Sequence, residues 1–332
     1  MTNSLPIVDS YKRAHTALRI SVTDRCNIRC FYCMPEIVQF LPKRDVLSFE
    51  EIQRLTTILA RQGVNQIRIT GGEPLVRKDL WKLIQKIKVI DGIKDVALTT
   101  NGILLADQAQ QLRDAGLDRL NISLDTIDPV VFERITRRKG LEKVVEGIEV
   151  AQSVGFTNIR INAVSMVGIS ETEIIPLAQF SRDKGLELRF IEFMPLDGDN
   201  AWETDRVLSG DQVRTILSSG IAPLVAADRP DTSQPAVDFR YSDGIGSVGF
   251  INSVTQPFCG TCNRMRVTAE GKFRNCLFSG EEWDVRDVMR SGGSDAEIES
   301  VIRDCIMHKK AGHGTNDEGF LRPEKAMYQI GG

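Results

Sequence analysis

Short runs dense in Ile, Val and Leu recur along the first two-thirds of the chain, each followed by a longer segment with apolar residues at three- and four-residue spacing. The runs are Leu18–Val22, Gln66–Thr70, Val96–Thr99, Arg119–Leu124, Ile159–Val164 and Leu188–Phe193. Such near-continuous aliphatic content marks strands covered on both faces. Ser48-Phe-Glu-Glu51 has the spacing of a capping box, Ile52, Leu55 and Leu59 form the stripe behind it, and Gly63 reads as a stop. Asp128-Pro129 reads as an N-cap with proline at the first helical position. Further helices are predicted over Leu80–Val89, Gln108–Ala115, Glu142–Val154 and Thr172–Lys184, with Gly116, Gly155 and Gly185 just past three of them.

Alternating β and α units build a parallel sheet. About six units, where a closed barrel has eight, predict an open, partial barrel of the TIM type. The unusual residues fall just after strands: Gly71-Gly72-Glu73-Pro74, Thr100-Asn101-Gly102 and Asp125-Thr126. A barrel's active face is at that end. Beyond about Leu196 the pattern changes, with Gly, Pro and Asp frequent through Asp197–Asp243. Arg264–Thr268 and Lys272–Leu277 then flank Ala269-Glu270-Gly271, a hairpin turn. We expect a barrel core over residues 1–230 and an α+β extension over 231–332, the boundary falling within Asp197–Asp231.

The formal charge of −3 argues against bulk attraction to nucleic acid or to an acidic membrane. Anion recognition must then come from a few placed arginines. Alternate strand residues share a face, so Arg264 and Arg266 point one way, as do Arg160 and Asn162. With Arg19 and Arg68 they suit a polyanion such as a nucleoside triphosphate. No stretch reaches the roughly 18 uncharged apolar residues of a membrane span. The start, Met1–Pro6, lacks a basic-then-apolar leader, and a cytoplasmic setting is expected. There the seven cysteines are metal ligands or core residues rather than disulfides.

Cys26, Cys30 and Cys33 form C-x3-C-x2-C in a loop after a strand. Three thiolates can hold three irons of a 4Fe–4S cube and leave the fourth open to a small molecule. Zinc or buried thiols are the alternatives. A second triplet, Cys259-Gly-Thr-Cys262 and Cys276, allows the same reading, or a zinc knuckle completed by His308 or His313. Cys305 continues the helical stripe of Ile298, Val301 and Ile302 and reads as a structural thiol.

The segment Leu18–Pro35, with Tyr32 before the third cysteine, resembles the cluster loop of the radical S-adenosylmethionine superfamily, and Thr70-Gly-Gly-Glu-Pro74 resembles its second signature. Over nearly the whole chain the sequence is similar to the GTP 3′,8-cyclase family. The likeness includes Leu47–Glu51, Leu98–Gly102, Asn121–Asp125, Phe190–Pro195, Phe258–Arg266 and the terminal Ile330-Gly-Gly332. It implies that Cys26, Cys30 and Cys33 hold the cluster that cleaves S-adenosylmethionine, and that Tyr32, Gly72, Ser123 and Met194 bind the methionine and adenosine parts. Cys259, Cys262 and Cys276 would hold an auxiliary cluster whose open iron meets guanine. Arg19, Arg68, Thr99, Arg160, Arg264, Met265 and Arg266 would bind GTP.

The resemblance further implies a 5′-deoxyadenosyl radical that takes hydrogen from C3′ of GTP, after which the carbon radical closes on C8 of guanine. The expected partners are a reductant such as flavodoxin or ferredoxin and, for the product, cyclic pyranopterin monophosphate synthase; a homodimer is compatible. Two departures stand out: the family commonly has lysine where Arg160 stands, and Lys325 replaces an arginine usual before the tail. A peptide-modifying radical enzyme would share both triplets without needing the Arg264/Arg266 pair or the terminal diglycine. A non-enzymatic zinc protein would leave Gly71–Pro74 unexplained.

Overall fold

The computed structural model describes residues 6–199, 202–229, 231–315 and 320–331. Strands β1 (Ala17–Ser21), β2 (Gln66–Thr70), β3 (Asp95–Thr100), β4 (Arg119–Ser123), β5 (Ile159–Ser165) and β6 (Glu187–Glu192) lie side by side in parallel, each within two residues of its predicted limits. Helices α1 (Phe49–Ala60), α2 (Leu80–Lys88), α3 (Ala109–Asp114), α4 (Pro129–Thr136), α5 (Leu141–Ser153) and α6 (Ile174–Asp183) form the crossovers. The capping box of α1 is made: Ser48 Oγ accepts from Glu51 N at 3.1 Å, and Glu51 Oε2 accepts from Ser48 N at 2.7 Å. Asp128 Oδ1 accepts from Val130 and Val131 at the start of α4. Helix α6 starts two residues later than predicted, with Glu173 turned inward to accept from the Thr126 hydroxyl.

The C-terminal region is woven into the same sheet. Helix α7 (Gly210–Gly220) leads to β7 (Leu224–Ala226), β8 (Val237–Tyr241) and β9 (Ser247–Ile251), and β9 pairs parallel with β6. The predicted hairpin is β10 (Arg264–Val267) and β11 (Lys272–Arg274), antiparallel around Gly271, with β12 (Trp283–Asp284) beyond. Strand β10 pairs parallel with β1. Eight parallel strands therefore run β10-β1-β2-β3-β4-β5-β6-β9, flanked by antiparallel strands, and β12 and β7 are left as edges. The barrel is open, as expected.

Helices α8 (Val285–Arg290) and α9 (Asp295–Met307) pack against β11 and β12, and the short α10 (Met327–Ile330) returns to pack beside Met34. The core is one cluster of Ile, Leu and Val side chains from both sheet faces and the helix stripes. Among the described residues no helix is long and apolar enough to cross a membrane.

Candidate functional site

The carboxyl ends of the parallel strands open into one cavity of about 940 Å³, and both cysteine triplets line it. The loop after β1 carries Cys26, Cys30 and Cys33, and a tight turn in which Cys33 N and Met34 N both donate to Cys30 O brings the last two together. Arg29 N and Phe31 N donate to Thr136 and Ile135, tying the loop to the end of α4. The glycines after β2 fit against this loop: Gly72 N donates to Thr23 O and Glu73 N to Arg25 O, both at 2.7 Å. A Cβ on Gly72 would run into the Arg25 carbonyl. The close approach that demands glycine is thus to the cysteine loop itself.

Glu73 fixes the next loop. Its carboxylate accepts from Leu75 N at 2.9 Å, the Thr100 hydroxyl at 2.8 Å and Asn101 N at 2.6 Å. Burial pushes this carboxyl up to about 7, against the three donors that favour the charged form. Asn101 Nδ2 in turn donates to Asn27 and lies 3.8 Å from Cys26 Sγ. Tyr32 donates its hydroxyl to Asp125 Oδ2 at 2.7 Å, and Asp125, pushed up to about 6 by burial, also accepts from Val164 N. Tyr32, Gly72, Ser123 and Met194 all line the cavity beside the first triplet.

Burial raises the thiols of the first triplet: Cys26 to about 11, Cys33 to about 12, and Cys30 well above its ordinary value. Arg29 beside Cys26 lowers that thiol but does not undo its burial, so iron itself must displace the protons. Cys262 differs. Burial pushes it up, but Arg264 and Lys309 more than reverse this and bring it to about 6. Among the described residues, no three His, Cys, Asp or Glu side chains gather as one ion requires. A four-iron cube takes each thiolate on a separate iron, and the three thiols of each triplet line the cavity where one could sit. His308 spends Nδ1 on the Asp304 carbonyl of its own helix, and His313 Nδ1 accepts from Thr315 N. Cys305 is fully buried among Ile298, Ile302 and Ile306, as its stripe predicted.

The arginines meet in register. Arg19 pairs across the sheet with Arg266 on one side and Arg68 on the other, so three guanidinium groups form a row on adjacent strands. All three line the cavity with Arg264, and none has an acidic ion-pair partner among the described residues. Burial first, then mutual repulsion, disfavours the charged forms of Arg19, Arg68 and Arg266. A guanidinium cannot shed its proton to escape, so the row calls for an anion. Thr99 Oγ1, also on the wall, is buried without a partner.

Two expected residues are placed differently. Met265 points away from its arginine neighbours into the core and is 0% exposed. Arg160 lies outside the cavity lining, its Nε donating to Glu187 at 2.6 Å. On the same strand face, Asn162 does reach the cavity, where its register partner Arg189 joins it. Arg189 carried no motif signal. Nor did Arg13, which clamps the second cysteine loop by donating to the Cys259 carbonyl at 2.7 Å.

A partial barrel with a three-cysteine loop after its first strand, braced by a Gly-Gly-Glu turn after its second, defines a radical S-adenosylmethionine enzyme with room for a second cluster. Family comparison agrees: the Radical SAM superfamily profile matches residues 20–181 and that of Molybdenum Cofactor Synthesis C matches residues 186–315. The chain is 51% identical to the GTP 3′,8-cyclase of Rhodopirellula baltica, covering all of this chain and 94% of that protein. It is 42% identical to the Mycolicibacterium smegmatis enzyme of the same name, over 98% of this chain and 92% of that one. The chain belongs to the GTP 3′,8-cyclase family. Streptococcus suis SuiB bound to S-adenosylmethionine shares the fold alone, with a TM-score of 0.58 and 17% identity over 90% of this chain and 69% of that chain.

Proposed function

We propose that this chain converts GTP to (8S)-3′,8-cyclo-7,8-dihydroguanosine 5′-triphosphate, the first step of molybdenum cofactor biosynthesis. The observation that carries the reading is the row Arg266–Arg19–Arg68, which has no acidic ion-pair partner among the described residues and lies in the cavity that both cysteine triplets line. Cys26, Cys30 and Cys33 would hold the cluster whose electron cleaves S-adenosylmethionine, and Cys259, Cys262 and Cys276 would hold the one that meets guanine. Tyr32, Gly72, Ser123 and Met194 hold S-adenosylmethionine beside the first triplet. Arg19, Arg68, Arg264 and Arg266 neutralise and orient the nucleotide, and Thr99 Oγ1 supplies an unspent hydroxyl. Arg160 acts one step back, sharing Glu187 with Arg189, which faces the cavity.

Holding both small molecules in one cavity positions C3′ for hydrogen transfer. Met327 and Tyr328 of α10 line the cavity and help screen it from water. In this reading residues 1–230 supply six of the eight parallel strands, and residues 231–332 add β9 and β10 and bring the second cluster. A flavodoxin or ferredoxin in the cytoplasm supplies electrons, and the product passes to cyclic pyranopterin monophosphate synthase. The test is anaerobic incubation of reconstituted protein with GTP, S-adenosylmethionine and reductant. The cyclised triphosphate is expected. 5′-Deoxyadenosine formed at a rate indifferent to GTP, with GTP unchanged, would overturn the assignment.

A further inference from the structure

Lys309 follows the end of α9, where its backbone N–H donates to Ile306 O, and its side chain is almost wholly buried. The ammonium has two partners: the Arg264 carbonyl at 2.8 Å and Cys262 Sγ at 3.5 Å. No carboxylate forms an ion pair with it among the described residues. A buried, unpaired ammonium is costly, and the nearest source of negative charge is the thiolate set of Cys259, Cys262 and Cys276.

Its position is enforced from outside. Arg13 donates to the carbonyls of Lys310 at 2.7 Å and Ala311 at 3.1 Å, and to Cys259 O at 2.7 Å. Asp9 braces Arg13 through a 2.6 Å ion pair. One guanidinium thus locks the segment after α9 to the second cysteine loop. Arg264 Nε also lies 3.4 Å from Cys262 Sγ, but its ring partner Phe258 and its place among the cavity arginines give it other duties.

A cluster gains one negative charge on reduction, and hydrogen bonds and charge around its sulfurs tune its potential. We propose that Lys309 is a positioning residue that sets the reduction potential of the auxiliary cluster, its ammonium donating to the Cys262 thiolate and stabilising the reduced form. The inference rests on the reading that this triplet carries a four-iron cluster.

The test uses full-length protein with Cys26, Cys30 and Cys33 replaced by alanine, so that only the second cluster is reconstituted. Its potential is read by redox titration monitored by electron paramagnetic resonance, without GTP. Lys309→Met should lower the reduced-to-oxidised ratio at a fixed potential about tenfold, a shift of about 59 mV for one electron. Lys309→Arg should stay near the parent. Iron lost in the Met variant and kept in the Arg variant would equally support a role for the charge. An unmoved midpoint in Lys309→Met, with or without reduced thermal stability, overturns the proposal, because a structural tie to the Arg264 carbonyl requires no more. Iron lost in both variants overturns it too. A parent that takes up no second cluster refutes the cluster reading itself.

Discussion

Arg266 and Gly331 are joined directly: the Arg266 Nη1 donates to the Gly331 carbonyl at 2.6 Å. One end of the chain thereby reaches the arginine row and rests against the other end's β1. The contact leaves the Arg266 charge unneutralised, because a carbonyl accepts a hydrogen bond without supplying a countercharge. The row therefore keeps its demand for an anion while the tail is in place.

Arg19→Ala and Arg266→Ala should each weaken GTP binding by roughly 1.5–3 kcal/mol, the range of a charge-assisted contact. S-adenosylmethionine binding should change much less, since Tyr32, Gly72, Ser123 and Met194 are intact. Equilibrium binding of each ligand to reconstituted protein separates the two effects. Equal losses for both ligands would show that the row serves the fold and not the nucleotide.

Arg160→Lys should retain near-parental turnover, because a lysine can still pair with Glu187, which also holds Arg189. Arg160→Ala should raise the KM for GTP modestly by freeing Glu187 to take Arg189 alone. Steady-state kinetics of the two variants decides it, and a lysine variant as impaired as the alanine one would mean that the guanidinium fork itself is required.

Glu73 is raised from 4.5 to about 7, first by burial. A carboxyl whose folded value lies above its unfolded one binds its proton more tightly when folded. Its penalty is therefore full above about pH 7, shrinks as pH falls, and is gone below about 4.5. Across that window the parent should gain up to about 3 kcal/mol from this group. Glu73→Gln should remove that part of the slope, measured by denaturant unfolding of the apoprotein at pH 8, 6.5 and 5. Parallel curves for the two proteins would sink the assignment.

Reconstituted protein should carry about eight irons, four at each triplet. Replacing Cys26, Cys30 and Cys33 with alanine should halve the count, whereas Cys305→Ala should leave it unchanged, as the burial of that thiol within the helix stripe requires. Iron analysis is the check. Stoichiometric zinc in place of iron would overturn the reading of both triplets.

The barrel was legible because its signal is local. Aliphatic runs, Ser48/Glu51 and Asp128-Pro129 each dictate a structure from a few neighbouring residues, and β1 to β6 follow. The places of the seventh and eighth parallel strands were not: β9 and β10 join the array through pairing with strands dozens to hundreds of residues away, which periodicity does not encode. The cysteine triplets and the arginines of β1, β2 and β10 were readable from spacing and alternation. Arg13, Arg189 and Lys309 were not, because each owes its role to what the fold brings opposite it. Alternation likewise put Arg160 on the cavity face, but it could not show that Glu187 takes up its charge.

The terminal diglycine gives the last prediction. Gly332 lies outside the described residues, and the backbone at Gly331 shows why that position takes glycine. Its φ of +83° suits a residue without a side chain, and a Cβ there would press on Ser21 and Thr70 at 3.0 Å. The preceding turn is anchored: Ile330 is 1% exposed, Met327 N donates to Leu196 O at 2.9 Å, and Tyr328 packs with Met34 beside Cys26 and Cys33. Lys325 secures the approach by pairing with Glu270 and Glu282. Deleting Gly331 and Gly332 removes none of these anchors, so folding and iron content should be unchanged. It does free the Arg266 guanidinium and open the space beside Ser21 and Thr70. S-adenosylmethionine cleavage should persist while formation of the cyclised product collapses. The measurement is product formed per 5′-deoxyadenosine released, truncated against full-length protein. An unchanged ratio and rate would make the diglycine an ordinary chain end.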